Sequence, residues 1–92
     1  MTSMFDLSGK VAVVAGASSG LGADAARAYA EHGADVALLA RRLERLEALR
    51  EEIRETGRRA LAVRCDVTSE ESCRDAVEKV VEAYGRIDIL LN

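Results

Sequence analysis

The chain has 92 residues, 49% of them hydrophobic and 32% charged, a composition that argues against a disordered chain and sets a ceiling of one small domain over 1–92. Its 13 basic and 16 acidic side chains give a net charge of −3 without a basic block, so no nucleic-acid partner is expected. No apolar run approaches the ~20 residues of a membrane helix, and the opening residues lack the charged and apolar regions of a secretory leader, so a cytoplasmic protein without a membrane partner is expected.

Residues 10–15 read Lys-Val-Ala-Val-Val-Ala, a β-branched run that is apolar at successive positions and suits a parallel strand buried on both faces. A glycine-rich turn follows at once. Over 21–32 alanines dominate, which predicts a helix, with Gly33 as its terminator. The pattern then repeats. A second apolar strand is predicted at 35–40, and a second helix over 42–56 with Leu43, Leu46, Leu49 and Ile53 as its buried stripe and Gly57 at its end. A third strand covers 60–65. Thr68 and Glu71 have the spacing of a capping box, and they open a helix over 70–84 whose apolar positions Cys73, Ala76, Val77, Val80, Val81 and Tyr84 recur at helical intervals up to Gly85. Residues 87–91 are the fourth strand.

Strands alternating with helices, in a chain with no proline, specify an α/β fold with a parallel sheet and right-handed crossovers. The expected architecture is one half of a Rossmann-type doubly wound sheet with strand order 3-2-1-4. Handedness places the first two helices on one face and the third on the other, where it covers the sheet only in part. A chain of this size buries only about 60–65% of its unfolded surface. With one face half covered and the fourth strand at an edge, a homo-oligomer is expected.

The turn Gly16-Ala17-Ser18-Ser19-Gly20-Leu21-Gly22 lies between a strand and a helix, where backbone amides and the helix dipole meet an anion. Three separate steric demands fit the glycines: Gly16 for the tight turn, Gly20 for close approach of a pyrophosphate, and Gly22 for close packing of helix on sheet. A P-loop is excluded, because Ala23 and Asp24 follow Gly22 where a lysine and a hydroxyl residue are required. At the end of the second strand, NAD sites carry an acid that holds the ribose hydroxyls; here that position is Ala40, followed by Arg41 and Arg42, whose planar donors suit a phosphate. NADP(H) is therefore expected ahead of NAD(H).

The same turn resembles the TGxxxGxG motif of the short-chain dehydrogenase/reductase family, with Ala15 where threonine is usual. Ala40-Arg41-Arg42, Asp66-Val67 and the terminal Asp88-Ile89-Leu90-Leu91-Asn92 fit the same family in order, so the resemblance spans the chain. It implies that Ser18, Ser19 and Leu21 join the three glycines around the cofactor, with Ser18 adding a hydroxyl near a 2′-phosphate. It further implies that Asp66 and the Val67 backbone meet the adenine, and that Asn92 opens the family's Asn-Asn-Ala-Gly segment.

Catalysis in that family resembles an acid/base relay of a serine, a Tyr-x-x-x-Lys pair and an asparagine, acting on a small carbonyl/alcohol substrate. Tyr29 and Tyr84 are followed four residues later by Gly33 and Asp88, so neither supplies the pair and no catalytic residue is assigned. The expectation is the cofactor-binding half of an oxidoreductase; the alternative is a self-standing nucleotide-binding or structural module. The single histidine, His32, is expected only at a helix end. Cys65 and Cys73 match no metal-ligand spacing, and are expected as reduced packing residues.

Overall fold

A computed structural model describes residues 6–92. The opening residues 1–5, on which the expectation of no secretory leader rests, lie outside the described residues. The element order is β1 (Val11–Ala15), α1 (Gly20–Glu31), β2 (Asp35–Ala40), a 3-10 turn (Leu43–Arg45), α2 (Glu47–Glu55), β3 (Ala60–Arg64), α3 (Glu70–Tyr84) and β4 (Ile89–Leu91). The four strands form one parallel sheet in the order β3-β2-β1-β4, as the alternation requires.

Successive strand residues point to opposite faces, and both faces here are apolar. Ala12 and Val14 of β1 join Val36, Leu38 and Ala40 of β2 beneath α1 and α2, which contribute Ala26, Ala30, Leu49 and Ile53. Val11, Val13, Ala37, Leu39 and Val63 project the other way, beneath Ala76 and Val80 of α3. The small α1 residues let that helix lie close to the strands, whereas α2 is anchored by the larger Leu46, Leu49 and Ile53. Burial of each of those three contributes about 1.5–3 kcal/mol. The handedness expectation therefore holds: two helices on one face, one on the other. On the second face Val77 and Val81 of α3 and Leu90 of β4 remain exposed, Leu90 by 64%.

Several boundaries differ from expectation, each for a local reason. The second helix begins at Glu47 rather than at residue 42, because the preceding segment makes a 3-10 turn that carries Leu46 into the core and leaves Leu43 40% exposed. Glu47, not a pair of arginines, then occupies the first helical turn, where a negative charge complements the dipole. The capping box does not form. Thr68 is held by the Asp66 carboxylate, which accepts from both its amide (3.0 Å) and its hydroxyl (2.7 Å). Ser69 caps α3 instead, its hydroxyl accepting from the Ser72 amide. The fourth strand starts at Ile89, since Asp88 uses its carboxylate to accept the Val11 amide at 2.8 Å while its own amide donates to the Val11 carbonyl.

At the far end of the sheet Tyr84 closes α3 over β2. Its hydroxyl donates to the Val36 carbonyl at 3.2 Å, and the Arg59 guanidinium lies 4.5 Å from its ring centre while also pairing with Asp35. Burial, followed by the charge of Asp35, pushes the phenol up to about 12. The unfolded chain ionises this group near 10, so its contribution to stability is complete below that pH and is lost as pH rises towards about 12. Urea unfolding across this alkaline window is expected to show a falling midpoint that flattens in Tyr84→Phe; an unchanged slope in the variant would assign the alkaline loss elsewhere.

Candidate functional site

The carboxyl ends of the strands, the β1–α1 turn and the loop after β2 enclose a groove of about 860 Å³. It lies where ligands bind in open parallel sheets, outside the strand ends and beside the point at which the chain reverses its winding between β1 and β4. The expected residues Gly16, Ser18, Ser19, Leu21, Gly22, Arg41, Arg42, Val67 and Asn92 all line it. Gly20 and Asp66 do not.

The turn is built as its glycines require. Gly16 has φ +72°, a left-handed backbone that a side chain would strain. A Cβ on Gly22 would run into the backbone carbonyl of Gly16, so only glycine allows α1 to start this close to β1. Ser19 fastens the two together: its hydroxyl donates to the Gly16 carbonyl at 2.8 Å and accepts from the Gly22 amide at 3.3 Å. The ladder of α1 has no acceptor for the amides of Gly20 and Leu21, which sit in its first turn at the positive end of the dipole. A Cβ on Gly20 would meet nothing within 4 Å, so its small size is demanded by no part of the protein itself.

The opposite rim is cationic. Arg41, Arg42, Arg45 and Arg64 line the groove, and among the described residues none of the four joins an ion pair. By contrast Arg27, Arg50, Arg54, Arg59, Arg74 and Arg86 all pair with carboxylates. Ala40, at the end of β2, is buried and brings no negative charge to this rim. Arg45 and Arg64 were absent from the sequence expectation. Arg45 belongs to the 3-10 turn that replaces the expected start of the second helix, a change the apolar stripe does not announce. Arg64 was legible in principle, as the last residue of a strand that ends at the groove.

Asp66, expected at the adenine end of the groove, lies in the loop between β3 and α3. Its carboxylate does not line the groove but organises its own loop, and the bonds from the Thr68 hydroxyl and amide hold it below the usual carboxylate range, helped by Arg41 and Arg64. The neighbouring Val67 does line the groove and is exposed, which offers an apolar surface to a flat ring.

The site thus joins an anion cradle at a helix start, an apolar wall and a cluster of unpaired guanidiniums. That combination fits an elongated ligand with phosphates at two places. The family described as short chain dehydrogenase matches residues 10–92. A glycine betaine reductase of Emericella nidulans is 48% identical over 85 residues, which is 92% of this chain and 7% of that protein. An uncharacterized oxidoreductase of Mycobacterium tuberculosis is 43% identical over 89 residues, 97% of this chain and 34% of the relative. Among solved structures, a short-chain type dehydrogenase/reductase from Mycobacterium marinum superposes with a TM-score of 0.91 at 45% identity, covering 95% of this chain and 34% of the other. A metagenomic short-chain oxidoreductase in complex with NADP gives 0.86 at 43% identity, over 91% of this chain and 38% of the other. The chain therefore spans about a third or less of the length of most of the relatives it matches.

The two glycines make opposite predictions for stability. Gly22→Ala is expected to cost at least about 1–3 kcal/mol, because the added methyl meets backbone that cannot move aside. Gly20→Ala, at an open helical position, should be neutral or up to about 1 kcal/mol more stable. Chemical denaturation of both variants checks the pair, and equal losses would show that Gly20 is also a packing glycine.

Proposed function

The chain belongs to the short-chain dehydrogenase family, and we propose that it is the NADP(H)-binding part of an oxidoreductase acting on a carbonyl/alcohol couple. One observation carries the cofactor reading: the rim beyond β2 holds four unpaired guanidiniums around Ala40, the position at which a carboxylate would select NAD(H). A 2′-phosphate is the group that such a rim stabilises and that a carboxylate would repel.

In this reading the amides of the first turn of α1, with Ser19 and Gly20, hold the pyrophosphate, and Gly20 leaves the space it occupies. Ser18, Arg41 and Arg42 hold the 2′-phosphate, with Arg45 and Arg64 adding to the field. Val67 packs on the adenine. Asp66 acts from behind, by fixing the loop that presents Val67, and Asn92 lines the groove beside Leu91 at the end of β4. When bound, the nicotinamide supplies hydride chemistry. Proton transfer to the substrate requires groups that the 92 residues do not contain, since neither Tyr29 nor Tyr84 has a lysine four residues on. The chain alone is therefore read as a binder and not as a catalyst.

Self-association is part of the same reading, because it would cover Val77, Val81 and Leu90 and the open edge of β4. A stable monomer in sedimentation at micromolar concentration would remove that part and leave the cofactor assignment untouched.

Arg41→Ala tests the cofactor choice. Calorimetric titration is expected to show NADP(H) affinity weakened by about 1–3 kcal/mol, as for a lost charged hydrogen bond, with NAD(H) affinity nearly unchanged. Equal losses for both cofactors would overturn the preference.

A further inference from the structure

Cys65 and Cys73 lie in different elements, yet the fold brings them together, with Cys65 on the wall of the groove. Cys65 follows β3, is 2% exposed, and its amide donates to the Ala40 carbonyl at 2.9 Å. Cys73 closes the first turn of α3 and is only half-buried. Their sulfurs are 3.9 Å apart, with the Cys65 thiol donating towards Cys73. The Cys73 thiol in turn faces the carbonyls of Asp66 and Val67, each at 3.8 Å. The segment between them is short and held at both ends. Asp66 accepts from Thr68 through its side chain, the Asp66 amide donates to the Ser72 hydroxyl at 2.9 Å, and Ser69 caps the helix.

We propose that Cys65 and Cys73 are an oxidisable pair that closes to an intramolecular disulfide, and that closure is coupled to occupation of the groove that Cys65 lines. A sulfur–sulfur bond is about 2.05 Å long, so each sulfur has to travel about 1 Å, within the reach of side-chain rotation and a small shift of the first turns of α3. No charged side chain separates the two sulfurs. The more exposed Cys73 meets an oxidant first. Burial pushes the Cys65 thiol up, helped by its bond to Cys73, so Cys65 serves as the second, resolving group.

The oxidant is a small-molecule disulfide such as oxidised glutathione. The Cys73 thiolate attacks one of its sulfurs, the reagent's sulfur–sulfur bond breaks, and one glutathione thiolate leaves and takes up a proton. Cys65 then releases its proton to water and attacks the Cys73 sulfur of the mixed disulfide, expelling the second glutathione thiolate. Two electrons and two protons pass from the protein thiols to the reagent. Closure pulls the start of α3 towards the end of β3, and so moves the loop that presents Val67 to the groove.

The coupling rests on the dinucleotide reading, whereas the pair itself does not, and the test separates them. The 92-residue chain is treated with oxidised glutathione and followed by intact mass and by alkylation of free thiols, with and without NADP⁺. The expected product is a chain lighter by about 2 Da, not covalently linked to a second chain and with no alkylatable thiol, restored by dithiothreitol. Cys65→Ser, or Cys65→Ala if the serine variant misfolds, should stop at a glutathione adduct on Cys73, and Cys73→Ser should react slowest. A wild-type adduct that persists, or a disulfide between two chains, would overturn the pair. NADP⁺ is expected to slow closure several-fold. Unchanged closure while calorimetry shows NADP⁺ bound would overturn the coupling and leave the pair; unchanged closure with no NADP⁺ binding would overturn the dinucleotide reading instead.

Discussion

The contact between Gly22 and the Gly16 carbonyl is the constraint on which the site depends. Because no Cβ stands between them, α1 can begin within one tight turn of the end of β1, and Ser19 can bond to both sides of the turn. The first turn of the helix, with its unused amides, is thereby aimed at the open end of the sheet and not at solvent beyond it. The alanines along α1 extend the same close approach over β1 and β2, and the two-faced burial of those strands holds the platform rigid.

The second half of the site depends on electrostatics. A groove lined by four guanidiniums repels cations and attracts an anion, and among the described residues none of the four joins an ion pair, which leaves their donors available. Of the seven arginines elsewhere, six pair with nearby carboxylates and Arg58 donates to the Gly33 carbonyl, so the clustering of unpaired guanidiniums at the groove is not a consequence of composition, which is acidic on balance. The β3–α3 loop completes the wall. Asp66 braces it from within, and the two cysteines beneath it give that wall a covalent state as well as a hydrogen-bonded one.

Much of this was legible in the sequence because the strands are short continuous apolar runs and the helices follow a period of 3.6, with glycines between them. The four strands, their order, the helix faces and nine of the residues lining the groove follow from that pattern and from the family resemblance. The rest depended on competition that periodicity does not register. Leu46 claims the core and turns the start of the second helix into a 3-10 turn, which exposes Leu43 and brings Arg45 round to the groove. Thr68 could have capped α3, but the nearer Asp66 carboxylate takes it, and the cap moves to Ser69. The approach of Cys65 to Cys73 is a tertiary fact, set by how α3 folds back over β3, and no spacing between the two announces it.

In the proposed function the glycine turn and the arginine rim are two parts of one dinucleotide site. The most direct measurement is an amide-resolved NMR titration of the chain with NADP⁺ and, separately, with NAD⁺. Both cofactors are expected to perturb the amides of Gly16 to Gly22, and only NADP⁺ to perturb Arg41 and Arg42 strongly. Perturbations confined to other surfaces, or absent from the glycine turn with either cofactor, would contradict the single site.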